Sequence, residues 1–302
     1  VQPAARPLAP TYQERRWELP PDAVIHHGTV DDAARLLEGR TLTALTGAGI
    51  STDSGIPDYR SPDSPPRNPM TFQQFVGDDA FRRHYWARNH VGWQHVRRTH
   101  PNAGHRVLAE LEERGIVRGV ITQNVDLLHE DAGSRTVIDL HGRYDSVICL
   151  QCGRTISRAH LAERLDALNP GFVESVLDGG TTVADIEVAP DADAVIAKTS
   201  HFRPADCEFC GGVLKPEIVY FGENVPRARV DEAYALVESA DALLVAGTSL
   251  TVMSGLRFVR RAAKAGQPVV IVNRGETRGD PLATVKVDAG VSETLVALGE
   301  ML

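Results

Sequence analysis

The chain has 302 residues, enough for about two domain-sized units and a substantial core. Hydrophobic residues make up 42% and charged residues 24%, which lies outside the range of disordered chains. The formal net charge is −8, and no run of Lys or Arg is longer than two, so a non-specific nucleic-acid partner is not expected.

No apolar run approaches ~18 residues, which argues against a membrane span. The opening segment, residues 1–22, reads as a flexible tail. It lacks the apolar h-region of a secretory signal, so a cytoplasmic location is expected, or the mitochondrial matrix if the source is eukaryotic.

TLTALTG (41–47) is a short apolar run ending in glycine, the profile of a buried strand. GAGIS (47–51) follows and is expected to open a helix. Gly47 and Gly49, with Ala48 between them, would let backbone N–H groups approach a pyrophosphate. Thr52 stands where a dinucleotide fingerprint has its third glycine, so a plain strand-to-helix turn remains open. Asp58 and Arg60 share the next loop with Tyr59. They read either as hydrogen-bonding groups for a ribose or phosphate or as a structural pair. Residues 57–102, rich in Pro, Arg and aromatics, predict this loop followed by helices.

Residues 103–115 have helical patterning, and 115–124 is a second strand. Gln123, Asn124 and Asp126 follow that strand, placed to orient a ribose and a carboxamide. A third strand (135–142) ends at His141, followed by a glycine. On position alone a satisfied core histidine is a better reading than a functional one. His129, on a helical turn, is expected to pack.

Residues 145–212 hold all four cysteines. Cys149 and Cys152 form one C-x2-C knuckle and Cys207 and Cys210 another, each followed by glycine. Four thiolates make a closed tetrahedral shell, so the expectation is one structural zinc ion. Segment 178–200 reads as a surface insertion. Further on come a helix (229–240), a strand (241–249) ending at Gly247, Thr248 and Ser249, a helix (254–266) and a strand (267–273) ending at Asn273. A final strand and closing helix complete the chain. An acidic residue is usual at the Asn273 position in redox nicotinamide enzymes, so a dehydrogenase is disfavoured.

Alternating strands and helices predict an α/β fold: a Rossmann-like parallel sheet with helices on both faces, plus an inserted smaller zinc-binding domain and a helical module. The sheet domain is assigned to 23–56, 103–144 and 213–302, the cofactor loop and helical module to 57–102, and the zinc domain to 145–212.

GAGIS, GIPDYR, QNVDLLH, LHG, the two cysteine pairs, KPEIVYFGE (215–223) and GTSL occur here in one order. Together they resemble the sirtuin family of NAD-dependent protein-lysine deacylases, over about residues 30 to 300. Tyr59, YWARNHVGW (85–93), the LNP after the first cysteine pair and the long insertion look like the class II branch, which includes the mitochondrial lipoamidase-type enzyme. The resemblance implies His141 as catalytic base, with Gln123, Asn124 and Asp126 around nicotinamide and its ribose. It implies NAD contacts from Gly47, Ala48, Gly49, Ser51, Thr52, Asp58, Tyr59, Arg60, Gly247, Thr248, Ser249 and Asn273. Val219, Phe221 and Gly222 would form the strand on which an acyl-lysine peptide pairs.

The implied reaction is a transfer. The acyl oxygen attacks C1′ of the NAD ribose, nicotinamide leaves, and an O-alkylimidate forms. His141 then acts as the base that allows the 2′-oxygen to attack, giving free lysine and 2′-O-acyl-ADP-ribose. Tyr85 and Arg88, three apart on a predicted helix, resemble the pair with which desuccinylating sirtuins grip a carboxylate-ended acyl chain. An exposed helix face with an inward aromatic is the other reading. A dicarboxylic or branched acyl preference is therefore expected, with lipoyl or biotinyl removal as its rival. Protein mono-ADP-ribosyl transfer from the same pocket is the alternative activity. A monomer is expected, with no nucleic-acid or membrane partner.

Overall fold

The computed structural model describes residues 19–58, 69–176 and 199–302. Tyr59, Arg60 and nearly all of the 178–200 insertion lie outside the described residues.

Helix α1 (Val30–Leu37) starts at Thr29, whose side chain and that of Asp32 cap each other's backbone N–H groups, and buries Ala33, Ala34 and Leu37. Strand β1 (Leu42–Thr46) is buried along its whole length. The loop after it leads to α2 (Phe72–Gly77) and α3 (Asp79–Val96), followed by α4 (Ala103–Glu113), β2 (Val117–Thr122), α5 (Leu128–Asp131) and β3 (Val137–Asp139). The chain then leaves the main sheet for β4 (Gly142–Cys149), β5 (Thr155–Ser157), α6 (Arg158–Leu168), α7 (Phe172–Val176) and β6 (Leu214–Ile218). It returns through α8 (Arg227–Glu238), β7 (Ala242–Ala246), α9 (Met253–Lys264), β8 (Val269–Val272), β9 (Val285–Val287) and α10 (Val291–Met301).

The main sheet has the order β3-β2-β1-β7-β8-β9, and every neighbouring pair in it is parallel. This is the doubly wound Rossmann arrangement, with its switch point between β1 and β7. Side-chain alternation along the strands divides the core in two. Leu42 and Ala44 of β1, with Leu244 of β7 and Val270 of β8, join the core under α1, α4 and α10. Leu45, Leu243, Val245 and Ile271 face the other way, beneath α8 and α9. Burial on both faces explains why these strands read as continuous apolar runs.

The excursion between β3 and β7 builds a three-stranded antiparallel sheet, β5-β4-β6. Its core is shared with α2 and α3: Phe75, Tyr85 and Trp86 pack with Val147, Leu161, Leu214 and Tyr220. Two local expectations change. GAGIS opens no α-helix; it forms two single 3-10 turns, 48–50 and 52–54, and then Gly55 bends left-handed (φ 83°). The KPEIVYFGE segment is a strand only as far as Ile218. Val219 to Gly222 is a loop in which Phe221 makes a single bridge to Thr71.

Candidate active site

A cavity of about 1320 Å³ opens at the carboxyl ends of β1, β2, β7 and β8. Its floor is made by close backbone approach. Gly49 N–H donates to the Gly247 carbonyl at 2.8 Å, and Gly247 takes a left-handed φ of 67°. A Cβ on Gly49 would lie 2.9 Å from Gly247 Cα, and one on Gly47 would lie 2.7 Å from Thr248 Cβ. Only glycine fits these positions, and the cradle lies where a doubly wound fold holds a dinucleotide. Ala48, Thr52, Asp58, Thr248, Ser249 and Asn273 line the same cavity. Asn273 turns its side-chain amide back onto the Arg274 carbonyl (2.6 Å).

The loop after β2 supplies the second wall. Gln123 Nε2 donates to Thr248 Oγ1 at 2.8 Å and to the Thr46 carbonyl at 3.2 Å, tying β2 to the ends of β1 and β7. Asn124 Nδ2 donates to the Gly47 carbonyl and to Ser51 Oγ, both at 3.1 Å. Ser51 Oγ in turn donates to Asp126 Oδ2 at 2.7 Å. Asp126 is almost fully buried. Burial pushes its carboxyl up from the ordinary value, opposed by hydrogen bonds from Ser51 and from the Leu128 N–H.

Two histidines stand behind this wall. His129 Nε2 meets Thr46 Oγ1 at 2.9 Å, which bears out its expected packing role. His105 Nδ1 accepts the Asn102 N–H, which leaves its Nε2 to face Ser51 Oγ at 3.5 Å. Burial lowers both rings, His105 to about 4, so both are neutral at pH 7.

His141 lines the same cavity. Its Nδ1 lies 2.9 Å from the Gln123 carbonyl, an atom that can only accept. The neutral ring therefore carries its proton on Nδ1 and presents the Nε2 lone pair to the cavity, where Ser254 Oγ meets it at 2.8 Å. Burial lowers the imidazole to about 4, with Arg229 and Arg257 acting in the same direction. A neutral ring with a defined lone pair is the form a general base needs. Opposite it, Val219, Phe221 and Gly222 line the cavity, and Val219 N–H donates to the His141 carbonyl at 2.7 Å.

The cysteines lie apart from this cavity. Sγ of Cys149 is 3.5 Å from that of Cys210, and Sγ of Cys152 is 3.9 Å from that of Cys207. All four lie within 4.8 Å of one another. Four sulfurs tetrahedrally placed ~2.3 Å from one zinc ion would be about 3.8 Å apart, so the quartet is positioned to bind one such ion. The two knuckles repeat one geometry. Gly153 N–H donates to the Cys149 carbonyl and Gly211 N–H to the Cys207 carbonyl, and both glycines have a φ of 72°.

Residues 47–254 match the Sir2 family model. The chain belongs to the Sir2 family. Among its relatives, NAD-dependent protein deacetylase 1 of Mycobacterium avium is 65% identical over 267 residues, covering 88% of this chain and 93% of the relative. NAD-dependent protein deacetylase 1 of Streptomyces coelicolor is 48% identical over 286 residues, covering 93% of each. A solved Sir2–p53 peptide–NAD+ structure superposes with a TM-score of 0.65 at 30% identity, covering 90% of this chain and 98% of that one. Sir2Tm bound to a propionylated peptide gives 0.67 with the same identity and coverage.

Three expected residues lie outside the cavity lining: Ser51, fully buried behind it, and Tyr85 and Arg88. Tyr85 is buried, edge-on to Phe75 (5.5 Å between centroids), Trp86 (5.6 Å) and Tyr220 (5.3 Å). Tyr220 lines the cavity, so Tyr85 stands one side chain behind the wall. Arg88 Nη1 lies 3.2 Å from His84 Nε2.

Two groups at the site carried no signal in the sequence, and a third, Lys215, stood there only as the first residue of KPEIVYFGE. Ser254 touches His141 although it is 113 residues away, in a segment read only as a helix start. Arg257, one turn further on, lines the cavity. Lys215 is buried beneath the substrate wall. Its Nζ donates to the carbonyls of Ile218 (2.5 Å) and Pro216 (3.1 Å) and lies 3.2 Å from Glu223 Oε2. Among the described residues no helix is long and apolar enough to cross a membrane.

Proposed function

We propose that this Sir2-family protein is an NAD-dependent protein-lysine deacylase, releasing nicotinamide and forming 2′-O-acyl-ADP-ribose. The observation that carries this reading is one cavity lined both by a glycine cradle and by a neutral His141 whose Nε2 lone pair faces the space. The relatives' names support it: those cited are NAD-dependent protein deacetylases.

The residues present suit NAD, whose ribose accepts the acyl group in this chemistry. Gly47, Gly49 and Gly247 leave room for its phosphates against the backbone. Gln123, Asn124 and Asp126 are fixed by hydrogen bonds at the centre of the cavity, where they would orient the nicotinamide and its ribose. Val219 to Gly222 would hold the peptide, and His141 would take a hydroxyl proton at Nε2. The zinc ion, enclosed by four thiolates, has a structural part in this reading.

For the acyl group, the reading is a dicarboxylic or branched chain, with lipoyl or biotinyl as the rival. It rests on the resemblance of the Tyr85 and Arg88 pair; Tyr85 backs the cavity wall through Tyr220 and Arg88 lies one turn along α3, so neither lines the cavity itself. Arg88→Met should reduce turnover of succinyl-, glutaryl- or hydroxymethylglutaryl-lysine peptides while sparing acetyl-lysine. Equal loss on both would remove the selectivity. We also read the enzyme as a cytoplasmic monomer acting on acylated proteins or peptides, in line with solved Sir2 structures that hold a peptide.

The deciding assay follows NAD and an acyl-lysine peptide with wild-type protein and His141→Ala. Peptide deacylation by the wild type and its loss in the variant, with NAD binding kept, is the expected result. Nicotinamide release with no deacylated peptide would point instead to ADP-ribosyl transfer or NAD hydrolysis.

A further inference from the structure

We infer that Ser254 is a positioning residue for the base: its hydroxyl donates to the His141 Nε2 lone pair and so holds the ring in one tautomer, aimed into the cavity. The inference rests on the deacylase reading for its catalytic meaning, but the contact itself is a property of the free protein.

The hydrogen-bond inventory decides the direction of this contact. His141 Nδ1 faces a carbonyl oxygen, so it must donate, and Nε2 is left as an acceptor. The group at Nε2 is Ser254 Oγ at 2.8 Å, and a hydroxyl can donate there. Ser254 stands on the first turn of α9, a helix packed against β7 and β8, so its position is set by the main core. Both residues line the cavity. With both nitrogens occupied, the ring cannot flip without losing two hydrogen bonds.

The same hydroxyl suits both states of the base. When His141 takes a proton, Nε2 becomes a donor, and a rotated Ser254 hydroxyl can accept from it. The charged groups acting on the ring are Arg229 from α8 and Arg257 from α9, and both oppose protonation. Asp126 and Glu223 line other walls of the cavity. Asp139, at the end of β3, is held by Arg143 of β4 at 2.7 Å. Because the hydroxyl can pair with Nε2 in either protonation state, its loss should release the ring's orientation and tautomer rather than move its titration in one direction.

The test uses Ser254→Ala and Ser254→Thr, each checked for an unchanged thermal midpoint. Nitrogen-15 histidine spectra of the free proteins at pH 7.5 should show His141 protonated on Nδ1. The Nε2 resonance should move in Ser254→Ala and return toward wild type in Ser254→Thr, which keeps the hydroxyl. In the deacylation assay, kcat should fall in Ser254→Ala with the KM for NAD little changed, and recover in Ser254→Thr. A proton on Nε2 in the wild type, or an Nε2 resonance and kcat unmoved in Ser254→Ala, would overturn the inference. An inactive wild type with the expected resonances would overturn the deacylase reading and support the contact.

Discussion

Lys215→Met should loosen the wall on which the peptide is proposed to bind. The Lys215 ammonium is buried, satisfies the Ile218 and Pro216 carbonyls and pairs with Glu223. Glu223 Oε2 also accepts the Tyr220 N–H at 2.9 Å, so this one pair ties the loop at both ends. Methionine matches the length of the side chain but leaves two carbonyls and a carboxylate without their cation. Breaking a buried pair from one side costs ~3–5 kcal/mol. The Glu223 side chain is 23% exposed, which places this case near the lower figure, about 3 kcal/mol. At ~2 °C per kcal/mol for a chain of this size, the thermal midpoint should fall by about 6 °C.

The peptide KM should rise while NAD affinity is kept, because the Lys215 contacts fall on Pro216, Ile218 and Glu223 and not on the glycine cradle. Adding Glu223→Gln to Lys215→Met should recover at least about 1 kcal/mol, since a neutral amide can still accept from Tyr220 and no longer leaves a bare charge. The assay is thermal denaturation of the two single variants and the double variant, with peptide and NAD titrations. A midpoint within about 1 °C of wild type for Lys215→Met, or a double variant no more stable than that single one, would refute the reasoning.

Other consequences can be measured separately. His141→Ala should lower the deacylation rate by at least ~10²-fold and leave NAD binding by calorimetry near wild type; retained turnover would remove His141 from the chemistry. Cys149→Ser, or stripping metal with a chelator, should lower the thermal midpoint, with activity lost only as the protein unfolds. Activity surviving in a folded, metal-free protein would contradict the structural role.

Acid should destabilise the fold. His105 and His141 lie at about 4 and His129 is also lowered, mainly by burial. These folded values lie below the unfolded value of ~6.5, so the unfolded chain binds more protons in between. Stability is therefore lost as pH falls from about 6.5 toward 4. Asp139, pushed up to about 6 by burial and Glu130, and Asp126, also raised by burial, act with the opposite sign but are fewer than the lowered rings. Urea midpoints at pH 7.5 and 5.5 should fall on acidification, and a rise would contradict the burial of the three neutral rings.

Much of the site was legible because it depends on backbone chemistry that only certain residues permit. Gly47 and Gly49 announced a close approach, and the structure supplies the partner surface as Gly247. Each cysteine pair carried its glycine, which fixed the knuckle geometry without any knowledge of the chain between them. The apolar runs of β1, β7 and β8 were plain because both faces of each strand are buried.

Local pattern failed where tertiary packing decides. GAGIS has the composition of a helix opening, but the approach of Gly49 to Gly247 and the bend at Gly55 limit it to single turns. The substrate segment reads as a continuous strand, yet its pairing stops at Ile218. There the Lys215 ammonium takes the Ile218 carbonyl and Val219 turns to meet His141. Tyr85 gave an ambiguous signal for a good reason: an aromatic at that helical spacing packs as readily into a core as beside a ligand. Ser254 gave none, because a lone serine at a helix start reads as local capping until the fold brings it to His141 in the turn between β3 and β4.

The measurement that tests the central claim most directly is product stoichiometry. The protein is incubated with NAD and a panel of acyl-lysine peptides, and nicotinamide, deacylated peptide and acyl-ADP-ribose are counted by mass spectrometry. The account predicts equal amounts of all three for the accepted acyl class. NADH formation at 340 nm, or nicotinamide released without deacylated peptide, would contradict it.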